Sequence, residues 1–259
     1  MLQFVIIVLC ALLILAIFSR RWYLTEKGQM FGKMVFKKGM RLSNRMTKDD
    51  LEVTVKEMIP TAGEVDPKMT FKAKNLYRKG EVALKKDNAK DAEKLFIQAL
   101  ALDPSHIESH AQLALIYLKQ QQPAKAELLY RKLILAIPDE VIYLSNLALA
   151  LYQQGKLEEA KEYYEKAIEV DGSRAGRHFS LAQIFYELGE VEKAVQKVDN
   201  AIVQDDRNTS YYLTKAHWLV EQGITSEAKL VIQKTLEIEP HNVEAKAILR
   251  DLEALKQDV

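Results

Sequence analysis

The stretch from Val141 to Arg174 reads VIYLSNLALALYQQGKLEEAKEYYEKAIEVDGSR, and its outline recurs along the chain every 34 residues. Ala160 within it belongs to a column with Ala92, Ala126, Ala194 and Ala228, held over five periods without insertion or deletion. A fixed period of this length is the mark of a repeat architecture, in which each copy is one supersecondary unit. Repeats beginning at Ala73, Ile107, Val141, Ala175 and Thr209 bring further columns into register. The eighth position holds Gly80, Ala114, Ala148, Ala182 and Ala216, and the twenty-fourth holds Phe96, Tyr130, Tyr164, Val198 and Ile232.

Each column has a physical reading. Positions four, seven, eight and eleven of a repeat share one helical face, as Leu144, Leu147, Ala148 and Leu151 do. The small eighth residue lets the second helix of the repeat approach closely, and the alanine at position twenty does so from the other side. The large residue at position twenty-four fills the space beyond. Gly155, Gly189 and Gly223 end the first helices where a left-handed residue is wanted. Pro123 falls at the start of a second helix, where proline is tolerated. Asp66-Pro67 reads as a helix cap followed by proline in the first turn.

These columns resemble the tetratricopeptide repeat family, over about two-thirds of the chain. The resemblance implies an all-α solenoid, a right-handed superhelix of helix hairpins. Five repeats are expected at 73–106, 107–140, 141–174, 175–208 and 209–242, within a domain spanning 67–242. Stacked repeats need end caps. Residues 243–259 supply one, with Ala245, Ile248, Leu249, Leu252 and Leu255 on the inward face.

Ahead of the repeats, Leu2 to Phe18 is apolar apart from Gln3. About 18 helical residues span ~27 Å, close to the ~30 Å hydrocarbon core of a bilayer. Residues 1–20 are therefore expected to form a transmembrane anchor, not a cleaved signal peptide. No basic residue precedes the run, and no small-residue cleavage site follows it. Arg20, Arg21 and Trp22 suit the headgroup layer, and nine Lys/Arg lie between Arg20 and Lys48. That excess predicts a single-pass protein with its N-terminus outside and its repeats in the cytoplasm, and the plan of one anchor followed by cytoplasmic repeats resembles bacterial envelope-assembly adaptors, which implies a bacterial inner membrane. The alternative is an exported, periplasm-facing assembly factor for secreted or cytochrome proteins. Residues 21–66 form a basic juxtamembrane linker, whose Lys33, Lys37, Lys38 and Arg41 are placed to meet an anionic leaflet.

Function is expected on the concave side, where the resemblance implies that first helices receive a peptide or an amphipathic helix. The corresponding positions supply Leu115, Lys119, Leu149, Tyr152, Phe179, Gln183, Tyr186, Leu213 and His217. Some family members grip a C-terminal carboxylate with a pattern of lysine, asparagine and arginine. Asn146 matches one element of it, but Ala111, Leu115, Gly176 and Ser180 do not supply the rest, so Asn146 reads as a polar groove residue.

Catalytic chemistry is not expected. The chain has no phosphate loop, nucleophile elbow or paired acidic motif, and the only cysteine is Cys10. His106 and His110 share a helix face without a third ligand, so capping or packing is the expected role, and neither metal nor cofactor is anticipated. Residues 1–72 carry a charge of +5 and the remainder −4, which argues against nucleic acid as a partner of the repeats. The reading is thus a membrane-tethered scaffold for a protein partner, possible roles in envelope or membrane-complex assembly included; self-association is left open.

Overall fold

The computed structural model describes residues 66–254; the expected anchor, the basic linker up to residue 65 and the final five residues lie outside them. Among the described residues there are eleven helices and no strand. No helix among them is long and apolar enough to cross a membrane. The helices are α1 (Pro67–Lys85), α2 (Ala89–Leu102), α3 (Ile107–Lys119) and α4 (Pro123–Ala136), followed by α5 (Val141–Tyr152), α6 (Leu157–Val170), α7 (Ala175–Glu187), α8 (Val191–Gln204), α9 (Thr209–Glu221), α10 (Thr225–Ile238) and α11 (Val243–Ala254). They fall into two compact bodies, one ending at Ala136 and one beginning at Ile137.

In the first body, each helix packs on the next from α1 to α4. Asp66 caps α1 by accepting from the Lys68 amide at 2.9 Å, with Pro67 in the first turn, as the sequence predicts. Ala73, Ala92, Ala114 and Ala126 have no exposed surface. Gly80 is forced to be small: a Cβ there would sit 2.5 Å from Cε1 of Phe96, which is itself fully buried. Pro123 opens α4.

In the second body, each helix from α5 to α11 again packs on its successor. Ala148, Ala160, Ala182, Ala194, Ala216 and Ala228 are fully buried, with Tyr164, Val198 and Ile232 beside them at 5% exposure or less. Helix α11 covers the end of the stack. Ala245 packs with Ala216 and Ile232, and Leu252 packs with Leu219 and Ala228, with Ile248 and Leu249 half-buried alongside. Position twenty-seven is a further buried column that the sequence reading passed over. It holds Ala99, Leu133, Ala167, Ala201 and Thr235, one helical turn past position twenty-four and on the same face.

The turn between the helices of each repeat has one geometry. Gly155, Gly189 and Gly223 have φ of 72°, 79° and 74°, the left-handed caps expected of them. The same position in the first two repeats is not glycine, yet Asp87 and Gln121 adopt φ of 57°. There the tertiary structure imposes a conformation that the residue type resists.

The candidate interaction face

The candidate residues lie on α3 in the first body and on α5, α7 and α9 in the second. On α3, Leu115 is 37% exposed and Lys119 is also exposed, while neighbouring Leu113, Ala114, Ile116 and Tyr117 are buried. On the second body Asn146, Leu149, Tyr152, Phe179, Gln183, Tyr186 and Leu213 are half-buried, and His217 is exposed. The helical period produces this division. Positions that turn away from the buried seventh, eighth and eleventh residues keep one flank in solvent.

The aromatic residues are held in place by partners one repeat further on. Tyr152 on α5 donates its hydroxyl to Glu187 on α7, and Tyr186 on α7 donates to Glu221 on α9. Both pairs are 35 residues apart, so the geometry repeats. Burial, followed by the hydrogen bond and the charge of Glu187, pushes the Tyr152 phenol up to about 12. It stays a donor across the physiological range. The Tyr186 ring also stacks on Trp218, with centroids 4.6 Å apart and planes 9° from parallel, and Phe179 tilts against Tyr211 at 4.7 Å. Such ring pairs contribute about 0.5–1.5 kcal/mol beyond area burial. The rings are therefore set before any partner arrives.

Two residues of the set are engaged elsewhere. Leu213 packs against the terminal core around Ala216, Ile232 and Ala245, and His217 meets Glu244 on α11 at 2.8 Å. Both help to seat the end helix.

The sequence reading missed the carboxylates Glu187 and Glu221. The signal was present: a glutamate follows each of the two tyrosines at the repeat length plus one. It also missed Arg174 and Arg177, which lie with Asn146 at an open depression of about 390 Å³ between α5, α6 and α7. Leu149, Tyr164 and Ser180 contribute to its walls.

The histidines do structural work. Nδ1 of His106 accepts from the Ser109 amide at 3.2 Å, capping α3. His110 and His178, both fourth in their repeats, place Nε2 2.9 Å from the carbonyl oxygens of Pro104 and Gly172. Tyr212 takes the same position and donates to the Asp206 carbonyl at 3.0 Å. In these three repeats the fourth residue ties down the loop before its own helix, whereas Leu144 at the same position packs in the core. Among the described residues no group of three or more His, Cys, Asp or Glu is placed to hold a metal.

Two family models, both described as tetratricopeptide repeat, match residues 83–149 and 141–173. No curated protein matches the chain. Among solved structures, a crystal structure of the MamA protein aligns over 68% of this chain and 94% of that one, with 19% identity and a TM-score of 0.62. YrrB, described as a tetratricopeptide repeat protein with an unusual peptide-binding site, aligns over 66% and 89%, with 15% identity and a TM-score of 0.59. PilF of Pseudomonas aeruginosa aligns over 72% and 85%, with 20% identity and a TM-score of 0.59. At these identities the likeness is one of fold.

Proposed function

We propose that this chain, a member of the tetratricopeptide repeat family, is a membrane-tethered scaffold that holds a segment of a protein partner against α5, α7 and α9. The fold is one typically used for protein interaction. The observation that carries the reading is the half-buried set Tyr152, Phe179 and Tyr186 on α5 and α7, fixed by the Tyr152–Glu187 and Tyr186–Glu221 bonds and backed by Tyr211 and Trp218 of α9. Rigid aromatic anchors lose little conformational freedom on binding, and residues of this kind dominate interface energetics. An extended segment or the apolar face of a helix fits such a surface. No catalytic step is assigned to it, and the description of YrrB as peptide-binding is consistent with this use.

Tethering through residues 1–20 would raise the local concentration of the face at the membrane without any new contact. The excess of Lys/Arg after Arg20 favours a cytoplasmic repeat domain. A topology reporter fused after Val259 tests the compartment: alkaline phosphatase activity there would support export and overturn the cytoplasmic placement.

Photo-crosslinking from Phe179 in intact cells, with captured proteins identified by mass, tests the face itself. Tyr152→Ala should deplete the captured set at least fivefold. An unchanged set would overturn the reading.

A further inference from the structure

The depression beside the aromatic face has its own chemistry. Arg177, only 8% exposed, is oriented by three bonds: Nη1 donates to the Asp171 carbonyl at 2.6 Å and to Asp171 Oδ2 at 2.7 Å, and Nε donates to Ser145 Oγ at 3.1 Å. Its Nη2 makes no hydrogen bond among the described residues and is not sealed from solvent. Arg174 is exposed at the rim, and its side chain has no partner among the described residues. The Asn146 amide is likewise unbonded on the facing wall. Asp171 is committed to Arg177 and, through Oδ1, to the amide and hydroxyl of Ser173. One net positive charge remains in the group. Gly176 lies in the lining and presents no side chain there, while Ile142 and Leu149 form an apolar wall.

A guanidinium already held in place loses little freedom on binding, and its flat fork suits the two oxygens of a carboxylate. The volume is at the lower end of the ~300–1,000 Å³ typical of ligand clefts. The depression is open at the surface, which suits a side chain reaching in from a passing segment. Across this body the polarity is consistent: the arginines stand at the start of α7, whereas Glu187 and Glu221 stand at the ends of α7 and α9.

We infer that Arg174, Arg177 and Asn146 receive the side-chain carboxylate of an Asp or Glu on the partner segment, with an aliphatic neighbour against Ile142 and Leu149. This specifies the partner's chemistry and rests on the scaffold reading above.

The test uses two otherwise uncharged peptides, Ac-Leu-Glu-Leu-NH2 and Ac-Leu-Gln-Leu-NH2, titrated into the 15N-labelled full chain in detergent. The Glu peptide should shift the Gly176 amide and Arg177 Nε resonances and bind at least fivefold more tightly than the Gln peptide. Arg174→Gln should bring the Glu peptide down to the level of the Gln peptide and leave the latter unchanged. Arg174 is exposed and makes no cap bond, so the variant should fold. Equal affinities, or no effect of Arg174→Gln, would overturn the inference. So would tighter binding of Ac-Leu-Gln-Leu with a free C-terminus, or of inorganic phosphate, each indicating a different anion. The crosslinking from Phe179 is independent: if it persists and depends on Tyr152 while the peptides fail, the scaffold stands and only the carboxylate assignment falls.

Discussion

Gln121 and His110 show two ways in which one residue is made to serve its neighbours. Gln121 sits at φ 57° where later repeats have glycine, a conformation that costs an L-residue about 1–2 kcal/mol. Glycine removes that strain at some cost in unfolded-state entropy. Gln121→Gly should therefore stabilise the protein by about 0.5–1 kcal/mol in a urea titration. His110 carries the opposite kind of constraint. Burial, only partly offset by its bond to the Pro104 carbonyl, lowers its pKa to about 4, with Lys132 and His106 disfavouring a second positive charge and Asp103 opposing them. The unfolded value is about 6.5, so the folded state binds fewer protons across this interval. Its contribution to stability is whole above pH ~6.5 and falls away as the pH drops toward 4. His110→Gln can keep a donor for the carbonyl without titrating, and should flatten the pH dependence of stability between those limits.

At the scale of helices, close approach is the controlling quantity. A methyl group at position 80 meets the Phe96 ring at 2.5–2.9 Å. Gly80→Ala gains about 1 kcal/mol in helix propensity but incurs an overpacking cost of ~1–3 kcal/mol. The expected net result is destabilisation of α1 against α2 by up to ~2 kcal/mol, measurable by urea denaturation and by faster amide exchange in α1. Lys215 poses a different problem, as a buried amine between Asp199 at 2.9 Å and Glu227 at 3.0 Å. It joins α9 to both α8 and α10. Lys215→Ala should cost about 1–3 kcal/mol, below the usual value for a buried pair because both carboxylates are half exposed. Glu227→Gln should cost less, since Asp199 still pairs the amine.

Over the whole molecule, what the sequence made legible depended on period and side-chain size. The alanine and glycine columns located helix starts, tight contacts and left-handed turns, because each is set within a repeat and recurs. Asp87 and Gln121 were not legible, since their residue types argue against the conformation that packing imposes on them. The interaction face was half legible. Tyr152 and Phe179 stood out as aromatic residues on a solvated flank, but their ring and carboxylate partners lie on the next repeat. Arg174 and Arg177 occupy no repeated column, so only the fold brings them to Asn146. The end of the stack yields a prediction at this scale. Without α11, the cluster of Ala216, Ile232, Leu219 and Ala228 loses its cover. Truncation after Asn242 should speed amide exchange in α9 and α10 well before it affects α5 and α6, as expected of a stack whose elements depend on their neighbours.

The 35-residue separation of each tyrosine from its glutamate has a consequence for how such a chain can lengthen. A block copied from 175–208 carries Tyr186 as a donor for whatever follows and Glu187 as an acceptor for whatever precedes. Duplicated in tandem, it arrives with both halves of the hydrogen bond already written, while Ile184 and Arg177 of the copy would stand where Trp218 and Tyr211 now meet the rings. Growth by copying therefore preserves the hydrogen-bonded rungs of the face at every seam, and leaves the ring contacts behind them to be set by whichever repeat follows.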